Sequence, residues 1–151
     1  MNNIIIREAN RNDLIKIQSL SVEWSDENIT YGYSSTSLEE LEKYKIWVAE
    51  VNGIIVGYLG GYTYESTNMK SVMPIGTKCF EIEEIYVSKQ YRSLKLGSLL
   101  YDTMLKELLN ENIIYITLVA ANKNTKQLLD FYKNKDMNVF STRLFRQISG
   151  N

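Results

Sequence analysis

The chain has 151 residues, 44% of them apolar and 23% charged, and 17 Lys plus Arg against 18 Asp plus Glu give a net charge of -1. This suits one compact domain over residues 1–151 that needs no staples, and it excludes bulk positive charge as a means of holding nucleic acid. The absence of histidine excludes Ser-His-Asp, Cys-His and His-ligated metal chemistry, and a single cysteine, Cys79, excludes an intramolecular disulfide or a thiolate cluster.

In chain order, residues 3–8 are rich in Ile and read as a first strand. Asn10 can cap a helix over about 11–24, with Asp13 three positions on as an imperfect capping box, and Leu14, Ile17, Leu20 and Val22 keep roughly helical spacing. Residues 25–37 are polar and read as a loop or broken helix, after which Ser37 caps a short helix reaching Tyr44. Residues 46–51 and 54–62 flank Asn52-Gly53, the signal of a hairpin whose two turn residues take positive φ.

Residues 65–77 carry the one proline, Pro74, and read as a loop before a strand over 80–87. Residues 96–110 place Leu96, Leu100, Met104 and Leu108 on one face of a helix. Residues 113–119 form a near-continuous apolar run, expected of a strand covered on both faces. A last helix from Asn124 or Thr125 to about Lys135 precedes two expected closing strands, 137–140 and 143–148. The fold class is therefore mixed α/β: a mostly antiparallel sheet of about six to seven strands with about four helices on its faces.

The strand Phe80-Glu81-Ile82-Glu83-Glu84-Ile85-Tyr86-Val87 breaks parity, because Phe80 and Ile82 alternate out of phase with Ile85 and Val87. One extra residue at Glu83/Glu84 repairs the pattern, which predicts a β-bulge, a feature common beside active sites. Glutamates that merely keep an exposed edge soluble are the plainer alternative. The next segment, Ser88 to Ser98, enters the long helix carrying Lys89, Arg92, Lys95 and Gly97. Unpaired amides and the positive end of a helix dipole make such a loop an anion site, although basic residues there can also be plain solvated surface.

These segments together resemble the GNAT superfamily of N-acetyltransferases. Arg92-Ser93-Leu94-Lys95-Leu96-Gly97 is similar to the family's Arg/Gln-x-x-Gly-x-Gly/Ala signature, with Lys95 in the place of the first glycine. Ile5 to Ala9 with Asp13-Leu14, the hairpin Trp47 to Tyr58, and Glu83 to Val87 resemble the opening, the centre and the bulged fourth strand. Phe131-Tyr132-Lys133-Asn134-Lys135-Asp136-Met137 resembles the Tyr-x-x-x-Gly-Phe helix end, with Asp136 and Met137 replacing Gly and Phe.

The resemblance implies an acetyl-CoA-dependent N-acetyltransferase. It implies donor-binding roles for Ile85, Tyr86, Val87, Arg92, Ser93, Leu94, Lys95, Gly97 and Ser98, and for Asn124, one residue from the family's asparagine position. The backbone N–H groups near Ile85 and Val87 would pair with the donor's arm and polarise the thioester oxygen. Glu83 is implied as general base with Glu81 as its rival, and Tyr132 is implied at the leaving thiolate, as acid or as hydrogen-bond donor. An amine acceptor with a pKa of about 10.4 is free base in only about one molecule per thousand at neutral pH, so a base has work to do.

The acceptor is expected to be a primary amine of a small molecule, set among Trp24, Tyr31, Tyr33, Tyr62, Tyr64 and Glu65. With eleven tyrosines in the chain, several fall near any cleft by composition alone. A catalytically silent acyl-CoA sensor or a protein N-acetyltransferase are the competing expectations. No metal, nucleic acid or membrane partner is expected, and the resemblance leaves room for a homodimer. No apolar run approaches ~20 residues, so the expected location is cytoplasmic.

Overall fold

The computed structural model describes residues 1–67 and 72–150. Five strands form one sheet in the order β1 (Ile4–Glu8), β2 (Lys45–Val51), β3 (Ile54–Glu65), β4 (Lys78–Val87) and β5 (Tyr115–Leu118). The first four are antiparallel neighbours, and β5 joins β4 in parallel. That is the mixed, mostly antiparallel sheet expected. The helices are α1 (Leu14–Glu27), α2 (Leu38–Leu41), α3 (Leu96–Asn110) and α4 (Thr125–Lys133), with 3₁₀ turns at Arg11–Asp13 and Lys89–Leu94.

Local sequence explains several boundaries. Asn10 and Asp13 satisfy each other's backbone as a reciprocal cap ahead of α1, and Ser37 and Glu40 do the same for α2. The β2–β3 turn takes φ 53° at Asn52 and 81° at Gly53, as an Asn-Gly hairpin requires. The loop expected over 65–77 is partly described: Ser66 N–H donates to Thr77 and Gly76 N–H to Ser66. Residues 68–71 of it lie outside the described residues.

The sheet is covered on both faces. On one side α3 presses Leu96, Leu100, Met104 and Leu108 onto Trp47, Leu59, Phe80 and Ile82. On the other, Ile17 and Leu20 of α1 and Leu41 of α2 cover Val48, Tyr58 and Tyr86. An Arg7 guanidinium bridging Asp13 and Glu50 ties β1, the first turn and β2 together.

The expected sheet of six to seven strands is corrected to five among the described residues. Residues 137–149 form neither closing strand; Phe140, Leu144, Phe145 and Ile148 are all exposed. An alternating apolar pattern needs a partner strand to satisfy its backbone, and these residues pair with none. In consequence β5 is an edge, and its four residues are half-buried rather than covered on both faces. Helix α4 also stops at Lys133, two residues short of the expected end.

Candidate active site

The site begins where β4 and β5 part. Their pairing runs from Cys79↔Tyr115 to Ile82↔Leu118 and stops, while β4 continues five residues to Val87. At the same point Gly60 pairs with Glu84 and Gly61 with Ile82, so Glu83 is the extra residue of a β-bulge. The expected bulge is thus present, and it lies where the two strands diverge. Glycine on β3 permits it: a Cβ at Gly61 would sit 1.9 Å from the Glu81 carbonyl oxygen.

The bulge also reverses which backbone groups face the gap. Lys78 accepts from Ile114 on the β5 side, whereas Ser88 N–H donates to Val56 on the β3 side. Successive residues of a strand direct their amides to opposite edges. Ile85 and Val87 therefore turn their N–H groups to the edge that β5 has left, and Tyr86 turns its own to β3. The Val87 carbonyl on that edge already accepts from Arg92 Nε at 2.9 Å.

A cleft of about 450 Å³ occupies the gap, with Ile82, Leu118, Leu128 and Phe131 among its apolar wall residues. Glu83, Ile85, Tyr86, Val87, Arg92 and Tyr132 line it as well, together with Trp24, Tyr31 and Tyr33 of the expected acceptor set. Tyr62, Tyr64 and Glu65 do not. They continue along β3 beside Glu81, where Tyr64 and Thr117 share a 2.7 Å hydrogen bond and Thr117 donates to the Glu81 carboxylate.

The three carboxylates of β4 have distinct settings. Glu83 is exposed at the cleft, and among the described residues neither it nor Glu81 enters an ion pair. Burial raises the Glu81 pKa, the Thr117 hydroxyl opposes the rise, and the nearby Glu83 charge adds to it. Glu84 is 5% exposed on the opposite side of the bulge, where Tyr58 donates to it at 2.7 Å and Thr36 also donates. Burial raises its pKa too, against the lowering effect of those hydroxyls.

Tyr132 is buried, and among the described residues its hydroxyl makes no hydrogen bond, although no fully buried side-chain polar atom is left without a partner. The hydroxyl therefore opens on the cleft it lines. Burial, aided by Tyr101, pushes its pKa well above the phenol value. Such a group keeps its proton and donates a hydrogen bond.

Beside the cleft, the Ser88 to Ser98 segment turns into α3. Lys95 takes φ 57°, a left-handed conformation that a side chain adopts at a cost of about 1–2 kcal/mol. Asp136, the other non-glycine at an expected glycine position, takes φ 59°. There Asp136 N–H donates to Lys133 and Met137 N–H to Tyr132, a reversal that closes the end of α4. Gly97 is the second residue of α3, and a Cβ built there would lie 3.9 Å from the Phe131 ring, so packing does not require glycine. What glycine leaves is a bare helix start next to a cleft wall.

Other expected donor residues are placed differently. Arg92 lines the cleft, but its guanidinium pairs with Glu27 at 2.6 Å and lies over the Tyr86 ring. Ser93 and Lys95 are exposed, Leu94 packs on the core, and Ser98 lies in the first turn of α3. Asn124 caps α4 through Gln127 N–H instead of lining the cleft. Asn122 and Gln127 do line it. No spacing in the sequence marks them, because only the divergence of β5 brings them there.

A family model described as the acetyltransferase (GNAT) family matches residues 11–135. The chain belongs to the GNAT acetyltransferase family. Aminoglycoside N-acetyltransferase AAC(6')-Iy in complex with CoA is similar in structure, with a TM-score of 0.73 at 12% identity over 99% of this chain and 97% of that one. An aminoglycoside acetyltransferase from an uncultured soil metagenomic sample gives 0.69 at 18% identity, covering 97% of each chain. A ribosomal-protein-alanine N-acetyltransferase from Brucella melitensis biovar Abortus 2308 gives 0.67 at 16%, over 96% of this chain and 100% of that one. Identities this low establish a shared GNAT fold. No curated protein sequence matches this GNAT chain. Among its described residues no helix is long and apolar enough to cross a membrane.

Proposed function

We propose that this GNAT protein, as a single domain, transfers the acetyl group of acetyl-CoA to the primary amine of a small molecule. The observation that carries the reading is the parting of β5 from β4 after Ile82↔Leu118, with Glu83 and Tyr132 both lining the gap. Bound acetyl-CoA would supply an activated acyl group on a thiol leaving group. The residues present fit its parts. The outward N–H groups of Ile85 and Val87 suit an amide-bearing arm added along β4 like a strand, and can polarise a thioester oxygen. The bare start of α3 at Gly97, with Lys95 before it, suits a diphosphate.

The remaining steps belong to side chains. Glu83, directly or through a water, takes the proton an ammonium must lose, and as a carboxylate it also attracts that ammonium. Glu81 is the rival base, but it already accepts from Thr117 and lies outside the cleft lining. Tyr132 donates a hydrogen bond to the departing sulfur without giving up its proton. Tyr31 and Tyr33 of the cleft lining suit an organic cation, with Trp24 stacked against Tyr33 as support. An assay for released thiol across a panel of small amines tests the reading. Amine-dependent release that falls in Glu83→Gln supports it; CoA binding without turnover on any amine would favour a silent acyl-CoA sensor.

A further inference from the structure

Residues 29–36 form a strap beside the cleft, and Ile29 to Tyr33 line it. Its first half is stitched to the chain leaving β5: Tyr31 N–H donates to Ala121 at 2.8 Å, Lys123 N–H donates to Ile29 at 2.9 Å, and Thr30 bridges Asn122. Its middle is stacked. Tyr33 lies with its ring centroid 3.8 Å from Trp24, which in turn stacks on Tyr86 of β4. Its far end is fastened by polar groups beneath the bulge. Thr36 N–H donates to Ser21 Oγ at 2.7 Å, the Tyr33 hydroxyl shares a 2.7 Å bond with the same Oγ, and both Thr36 and Tyr33 donate to Glu84.

Glu84 is thus the one residue of the bulge that grips the strap. It accepts from Tyr58 of β3 on one oxygen and from Thr36 and Tyr33 on the other, while its neighbour Glu83 faces the cleft. A buried carboxylate is expensive unless it is well satisfied, and three donors from two separate chain segments satisfy this one. The arrangement couples the position of the strap to the position of the bulge.

We propose that Glu84 is a positioning residue which locks residues 29–36 onto the bulge, so that Tyr31 and Tyr33 form a fixed acceptor wall facing Glu83. This rests on the reading of the cleft as the transfer site. It assigns acceptor fit to a carboxylate that does not itself touch the acceptor.

The test compares Glu84→Leu, Glu84→Gln and Thr36→Val in the full chain, by steady-state kinetics, CoA binding and amide hydrogen exchange. Glu84→Leu should raise the acceptor KM about tenfold, the loss expected for a hydrogen-bonded charged anchor, with CoA affinity within about twofold. Exchange at the Tyr31 and Lys123 amides should accelerate in step. Glu84→Gln keeps a carbonyl oxygen for Thr36 or Tyr58 and should recover most of the KM. Thr36→Val cuts only the strap side and should follow Glu84→Leu, which covers the case in which the leucine variant does not fold. Unchanged KM and exchange, or a parallel fall in kcat and CoA affinity that glutamine does not rescue, would overturn the proposal. A wild-type protein that acetylates no amine refutes the transferase reading instead, and the exchange of Tyr31 still decides the role of Glu84.

Discussion

Glu83 and Glu84 are adjacent in the chain, yet one is exposed at the cleft and the other is 5% exposed beneath it, hydrogen-bonded by Tyr58. A regular strand already sends neighbours to opposite faces. Here the bulge adds a second effect, because it leaves Glu83 without a partner on β3. Glu83→Gln should therefore lower kcat/KM at neutral pH by about a hundredfold or more, in line with loss of a general base. Its melting temperature should stay close to wild type, since no ion pair is lost. Equal activity of the two proteins on the preferred amine would remove Glu83 from the mechanism. Glu81→Gln should have the smaller effect.

Burial raises the pKa of both Glu81 and Glu84 above the ordinary 4.5. The folded state then holds their protons more tightly than the unfolded state does. Their contribution to stability is fully present below pH 4.5 and is lost as pH rises through the raised folded values. Asp13 works in the opposite direction. The Arg7 hydrogen bond lowers its pKa below the ordinary 3.8, so its contribution is present above that pH and fades on acidification through the lowered value. Denaturant titrations at several pH values should show Glu84→Gln gaining on wild type as pH climbs above 4.5. Asp13→Asn should lose to wild type at neutral pH and converge with it in acid.

Gly97→Ala separates ligand approach from packing. The new methyl would meet only the Phe131 ring, at 3.9 Å, and alanine is the better helix former by about 1 kcal/mol. The variant should be as stable as wild type or slightly more so. Its affinity for CoA should fall about tenfold, because the helix start can no longer be approached closely. Calorimetric titration with CoA, read beside a thermal melt, measures both. Undiminished affinity would move the diphosphate away from α3.

Lys95 and Asp136 both hold left-handed backbone where the family pattern has glycine. Lys95→Gly and Asp136→Gly should each raise stability by up to about 1 kcal/mol, the lower end of the left-handed penalty. Only the first should weaken CoA binding, since only Lys95 lies beside the start of α3. Loss of stability in both would mean that side-chain contacts outweigh the backbone strain.

Tyr132→Phe keeps the ring that packs with Tyr101 and Phe131 and removes a hydroxyl that has no hydrogen-bond partner among the described residues. Stability should be unchanged within about 0.5 kcal/mol. If the hydroxyl supports the leaving sulfur, kcat should drop about ten- to hundredfold while CoA affinity is kept. The drop should be flat across pH 6–9, about the range of ordinary assays, because the raised pKa keeps the phenol protonated throughout. An inflection in that range would mean that Tyr132 titrates as an acid.

Much of this molecule was written in local sequence. Asn10 with Asp13, Ser37 with Glu40 and Asn52-Gly53 fix their caps and turn through bonds spanning two or three residues, which neighbours in the chain are sufficient to make. The parity break at Glu83/Glu84 betrayed the bulge, because a period-2 pattern cannot absorb one residue silently. The order of motifs along the chain carried the family.

What local sequence could not give depends on segments far apart. Whether β5 gains a further strand beyond Tyr115–Leu118 is decided by the run of the chain after α4, not by the apolar content of residues 137–148. That Asn122 and Gln127 line the cleft while Asn124 only caps a helix follows from the path of the chain after its pairing with β4 ends at Leu118. Which glutamate of the pair is buried was equally open in the pattern, since either could be the extra residue. Tertiary structure chose Glu84, because Tyr58, Thr36 and Tyr33 converge there to hydrogen-bond a carboxylate that water no longer reaches.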